Sequence, residues 1–289
     1  MNWVRCLLLA CVMVLGMPLS AQAVPQTIEG EISPSERQVT VFIGDTGSLQ
    51  AKRGAPFAGQ PAEPQPVQGM FFPGQTAGPA ANFWHLRVKQ GPAANVTFGP
   101  RDATVTTVSN GPVTGEWTVA SPARVDTNMR IQHNGVDLFE VRQTVLYVAP
   151  ELRFRVLWDI RNLTAQAMPF VFGTSADLFI ESDAGEGVYV DGPERFVGGR
   201  NKFSGTIGGL QQVTSSQLPG EAVAIPVAPW ASYEEGDPFG VTRRLGNEDA
   251  FLNTINPLFM DNGVGVSFDD RATTGLAAGE TARYEVVWI

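Results

Sequence analysis

The chain runs to 289 residues, with 29 acidic against 20 basic side chains and a net charge of −9. That balance excludes a role built on non-specific attraction to nucleic acid or anionic lipid. Its 31 glycines and 21 prolines exclude a mostly helical fold.

Residues 1–23 read as a secretory signal peptide. Trp3 and Arg5 give a short basic start, Leu7 to Leu15 is almost wholly apolar, and Ala21-Gln22-Ala23 supplies a small-residue cleavage pattern. Cleavage after Ala23 removes both cysteines, Cys6 and Cys11, and leaves 266 of the 289 residues. The mature chain then has no thiol, no disulfide and no cysteine-based metal site, and its expected address is the periplasm or the exterior. A chain of that length buries a large core without staples. Disulfide-free export points to a bacterial source. One of the 20 basic residues, Arg5, and none of the acids leaves with the leader, so the mature charge is −10. Leu8-Leu9-Ala10-Cys11 has the form of a lipoprotein processing site. The apolar run before Cys11 is short of the roughly 7–15 residues such a leader needs, so no lipid is expected there. Pro18, Ser20 and Gln22 end the run before the roughly 20 apolar residues of a spanning helix.

Beyond the leader the sequence reads as strands and turns. Val39 to Ile43 alternates and is β-branched. Residues 54–79 hold Pro56, Pro61, Pro64, Pro66, Pro73 and Pro79 among Ala, Gly and Gln, and are expected to form a long surface loop. Strands are expected at Phe83 to Val88, Thr104 to Val108 and Glu116 to Val119. From Leu138 to Ile180 the pattern is densest and predicts an antiparallel meander with one buried face. Within it, Phe154, Val156 and Trp158 share one face, and Arg153, Arg155 and Asp159 the other. Asn247 to Phe251 is the clearest helical candidate, capped by Asn247 and closed by Pro257. Gly265 to Asp269 and Thr281 to Trp288 are the last two strands, with Tyr284, Val286 and Trp288 on one face. A final strand of this kind is expected to lie inside the sheet, which argues against a further domain downstream. The expected fold is all-β: one large, mostly antiparallel sandwich over residues 24–289.

Two resemblances follow from particular segments. Val156-Leu-Trp-Asp-Ile-Arg-Asn162, followed by Met168-Pro-Phe-Val-Phe-Gly173, resembles the central strands of galactose-mutarotase-like β-supersandwiches. In the aldose epimerases of that group a histidine follows the glycine and does acid chemistry. Here Thr174 and Ser175 follow Gly173, so that role does not carry over. Asp191 to Gly199, Trp230 to Glu235 and Asp261 to Asp269 are similar to segments of exported bacterial surface modules with no assigned activity. That resemblance implies an extracellular β-sandwich and no particular reaction.

Few residues point to chemistry. The two histidines, His85 in an aromatic strand and His133 in a turn, are expected to be structural or surface residues, and two cannot make a three-histidine zinc site. Asp177, Glu181, Asp183, Glu186, Asp191 and Glu194 crowd one stretch. Glu181, Asp183 and Glu186 form its Gly-rich core, a candidate Ca²⁺ loop without EF-hand spacing. Asp269-Asp270 and Glu234-Glu235 are neighbours that a strand would turn to opposite faces, unlike the converging carboxylates of a glycosidase. Trp230 and Tyr233, with Glu234 and Glu235 after them, read as a loop in which an aromatic ring can stack on a sugar while the acids bind its hydroxyls. No Gly-x-Ser-x-Gly elbow, phosphate loop or dinucleotide fingerprint occurs. The leading expectation is an exported, non-enzymatic binding module for carbohydrate or a cell-surface component, without a cofactor. The alternative is a carbohydrate-active enzyme that uses carboxylates in a sandwich cleft.

Overall fold

A computed structural model describes residues 24–28, 39–53, 70, 82–100, 102–181, 184–191, 195–216, 223–225, 230–235 and 255–289. Among them there are strands and turns and no helix. The chain is all-β, and every pairing between its strands is antiparallel.

The larger layer has eight strands. Four come in sequence as a meander: β6 (Val105–Asn110), β7 (Ala123–His133), β8 (Val136–Tyr147) and β9 (Phe154–Asn162). The others are β11 (Ala184–Val190), β12 (Phe196–Arg200), β13 (Ile207–Gln212) and β16 (Thr281–Trp288). Their spatial order is β11-β12-β13-β16-β9-β8-β7-β6. The alternation seen in the sequence fixes which face is buried. Val125, Met129, Val141, Val145, Val156, Trp158, Tyr284 and Val286 all point into the core.

The second layer is β5 (Thr97–Phe98), β4 (Asn82–Val88), β10 (Phe170–Asp177) and β15 (Met260–Phe268), in that order, with β14 (Trp230–Glu235) paired to the far edge of β15. The layers meet at one corner, where Ala184 and Gly185 pair with Asp261 and Met260. Aromatic rings fill the space between them. Phe172 lies 5.3 Å from Trp158 and 5.0 Å from Tyr284, and Phe268 lies 4.8 Å from Tyr284, ring centre to ring centre. Phe170 meets Phe139 edge-on at 5.4 Å. These contacts make the architecture a sandwich. A small sheet of β1 (Gln26–Ile28), β2 (Val39–Ile43) and β3 (Leu49–Arg53) packs over β7 and β8, where Gln143 Nε2 donates to the Gly47 carbonyl at 2.9 Å. Its Ile28, Val41 and Ile43 join the same apolar cluster that contains Trp288.

Several sequence expectations shift. The stretch from Leu138 to Ile180 is not one meander: β8 pairs with β9, but β10 crosses to the other layer. It crosses because both of its faces are covered, and all eight of its residues are buried. Glu116 to Val119 is a loop instead of a strand. Trp117 takes a positive φ of 60°, the Glu116 and Thr118 amides both donate to the Ser121 carbonyl, and Val119 faces solvent. Trp230 to Glu235, read as a loop, is a strand on β15. The acidic loop is shorter than expected, since Glu186 already belongs to β11. The proline-rich stretch, apart from Met70, and the helical candidate at Asn247 to Phe251 lie outside the described residues.

Close approach also explains the Gly-Gly pairs of β12 and β13. Gly198 faces Gly209, and the Phe196 ring lies across both. A methyl group on Gly198 would come within 2.1 Å of the Gly208 carbonyl, and one on Gly209 within 2.3 Å of the Val197 carbonyl. Only glycine fits there.

Candidate functional site

The four-stranded layer carries an unusual outer face. Phe170 and Phe172 of β10 point at the larger layer, so strand alternation turns Val171, Gly173, Ser175 and Asp177 away from it. Register sets His85 of β4 and Ser267 of β15 opposite Gly173. Glycines stand again on β15 at 265 and 263, opposite Ser175 and Asp177. The result is a row of polar side chains, Arg87, His85, Ser175, Asp177 and Ser267, beside three glycines. All five polar residues are buried, in a class of position that apolar side chains normally fill.

His85 and Ser175 are joined directly, Nε2 to Oγ at 3.0 Å. Burial pushes the imidazole down to about 3, so it is neutral throughout the physiological range. Its other nitrogen borders Gly99, where an added methyl group would stand 3.6 Å from Nδ1. The Gly99 amide donates to Asp102 Oδ2 at 2.6 Å, and burial raises the Asp102 carboxyl. Arg87 Nη2 donates to Asn95 Oδ1 at 3.4 Å. A neutral imidazole and a hydroxyl offer hydrogen bonds without net charge. A group that protonates only near 3 is poorly matched to general acid–base work at neutral pH.

β14 adjoins this row, and it holds the residues flagged from the sequence. Trp230 stands opposite Ser267 and Glu234 opposite Gly263, while Tyr233 and Glu235 take alternate register positions opposite Val264 and Asn262. The structure thus brings the segment beside the polar row, with its two acids at successive positions of a strand. The expected cation loop is placed differently. Glu181 accepts from Thr206 Oγ1 at 2.9 Å, Glu186 pairs with Arg200 at 2.9 Å, and Asp183 lies outside the described residues. Among the described residues no three His, Cys, Asp or Glu side chains converge as a metal site would require.

The solvent face of the larger layer is a lattice of ion pairs. Asp126 takes Arg124 at 2.9 Å and Arg142 at 3.2 Å, with the Thr144 hydroxyl as a third donor. Burial works to raise the Asp126 carboxyl, but these donors hold it below its ordinary value. Arg283 grips Asp159 through two hydrogen bonds of 2.6 and 2.8 Å. Arg155 Nε donates to the fully buried Glu285 at 2.6 Å, and burial still raises that carboxyl. At the rim, the Tyr284 hydroxyl donates to Asp270 Oδ1 at 3.1 Å, and Arg271 lies 3.2 Å from its Oδ2. Burial raises Asp270 as well.

Nothing local to either residue signals the His85–Ser175 pair, because the partners are 90 residues apart and meet only through the β4–β10 register. Asp270 reads in the sequence only as half of an acidic doublet, and it sits in a turn after β15. No protein-family model matches this sequence, and no curated protein matches it either.

Proposed function

We propose that the protein is an exported, non-enzymatic β-sandwich module that binds carbohydrate or a related component of the cell surface. One observation carries this reading: the strand carboxylates Asp126, Asp159 and Glu285 are each bound to arginine. Carboxylates held in ion pairs on this face are not free to converge on a substrate as a glycosidase pair must. The one buried histidine is neutral and too weak a base to replace them. Trp230, Tyr233, Glu234 and Glu235 on one strand support binding instead, since aromatic rings and acids suit hydroxyl-rich ligands.

A second reading, a carbohydrate-active enzyme, has one observation in its favour. Asp270 is a carboxyl raised by burial, fixed by Tyr284 and Arg271 at the edge of the sandwich. That is the state an acid catalyst of glycoside cleavage needs. One experiment separates the two: purified residues 24–289 are assayed against aldoses and polysaccharides for both retention and turnover. Binding without turnover is the expected result. Turnover that Asp270→Asn abolishes would replace the module reading with the enzyme.

A further inference from the structure

We propose that the turn between β12 and β13 carries a stacking platform for the apolar face of an uncharged pyranose ring, built from Phe203 and Phe259. The proposal rests on the carbohydrate reading above and gives it a location. Phe203 is 81% exposed, the most exposed large apolar side chain among the described residues. The backbone around it is fixed. Asn201 is buried; its Oδ1 accepts from the Phe203 and Ser204 amides at 2.9 and 3.3 Å, and its Nδ2 donates to the Ile180 carbonyl at 2.9 Å. The Phe203 ring therefore stands on a turn anchored to the sandwich.

A second loop completes the surface. Asn256 Oδ1 accepts from the Leu258 amide at 3.0 Å, Leu258 is 63% exposed, and the Phe259 ring meets Phe203 edge-on at 5.4 Å. Lys202 Nζ lies 5.1 Å from the Phe203 ring centre and 4.5 Å from that of Phe259. The cation holds the two rings together and leaves donors for a hydroxyl group. The face of an aromatic ring is electron-rich and attracts the C–H face of a sugar.

Size and charge select the occupant. Two phenylalanines and one leucine cannot supply the roughly 800 Å² that each side of a stable protein interface buries. They match one or two sugar rings. Of the charges beside the turn, Arg200 and Glu186 neutralise each other at 2.9 Å, and Glu181 is engaged by the Thr206 hydroxyl at 2.9 Å. A single lysine on a chain of net −9 makes no field for an anionic polymer or lipid.

The test is affinity electrophoresis and calorimetry of residues 24–289 with soluble neutral glucans, xylan and galactomannan. Vesicles of anionic phospholipid and sedimentation of the protein alone are run in parallel. Phe203→Ala should weaken glycan binding at least about tenfold, with an unchanged melting temperature, and Phe203→Trp should keep it. If a glycan binds and Phe203→Ala binds it equally well, the platform is wrong and the carbohydrate reading stands. If no glycan binds the parent protein, both fail. Vesicle binding or self-association that depends on Phe203, without glycan binding, would assign the rings to a lipid surface or a second copy and overturn the proposal.

Discussion

Gln143 shows how a single buried polar residue can be structural. It accepts from Trp158 Nε1 at 2.9 Å and donates to the Gly47 carbonyl at 2.9 Å, tying the small N-terminal sheet to the larger layer. His85 is the corresponding residue in the other layer, and it makes stability depend on pH. In the unfolded chain its imidazole protonates near its ordinary 6.5, but in the folded protein only near 3. Between those values the unfolded state holds the extra proton, so stability falls as pH drops through that window. At pH 4.5 the loss from this one residue is about 3 kcal/mol relative to neutral pH. Denaturant unfolding of the parent and of His85→Gln should show it. The variant is expected to be weaker by about 1 kcal/mol at pH 7, where it loses the Ser175 bond. The gap should close or invert at pH 4.5. Parallel loss of stability in both proteins would mean that another group titrates.

Pairs of strands carry the charge lattice, and the β9–β16 pair carries its most costly member. Glu285 is fully buried on an otherwise solvent-facing side, and Arg155 stands on the adjacent strand to neutralise it. Removing the arginine alone leaves a buried charge uncompensated. Arg155→Met should therefore cost about 3–5 kcal/mol. The double replacement Arg155→Met with Glu285→Leu should return to within about 1 kcal/mol of the parent, because an apolar pair of similar volume needs no desolvation of charge. A double-mutant cycle by urea unfolding measures this directly. Additive losses in the double variant would show that the two side chains do not depend on each other. The same strand pair puts Val286 and Trp288 in the core, so its outer face can be altered while the inner face keeps the layers together.

At the scale of the whole molecule, the sandwich closes around aromatic contacts between layers, which are distant in sequence. Phe172 and Tyr284 stack at 5.0 Å across more than a hundred residues. No helix of the described residues is long and apolar enough to cross a membrane. The leader proposed for residues 1–23 makes a separate prediction about the whole chain. Mass spectrometry of the exported protein should find an N-terminus at Val24 and no lipid. A diacylated Cys11 would instead place the protein on a membrane surface and move the boundary of the mature chain.

Local patterns in the sequence determined the class of fold and most of its core. Alternation in β7, β8, β9 and β16 can be read because each strand has one wet and one buried face, and period two records which is which. Trp158, Tyr284 and Trp288 were legible as core for that reason. β10 was not legible in the same way. Buried on both faces, it shows no alternation, so nothing in its residues distinguishes a fifth strand of the meander from the centre of a second layer. Tertiary structure decided that, and with it the polar row. His85 meets Ser175 because β4 and β10 pair in one particular register, and a shift of one residue would send both side chains to the opposite face. β14 reads as a loop in the sequence because its pairing partner, β15, lies 30 residues further along the chain. The Phe203 platform likewise needs two loops, 201–206 and 256–259, that only the corner between the layers brings together. Strand class is a property of neighbouring residues and can be read from them. Sites on a sheet depend on register between distant strands, and local sequence does not encode it.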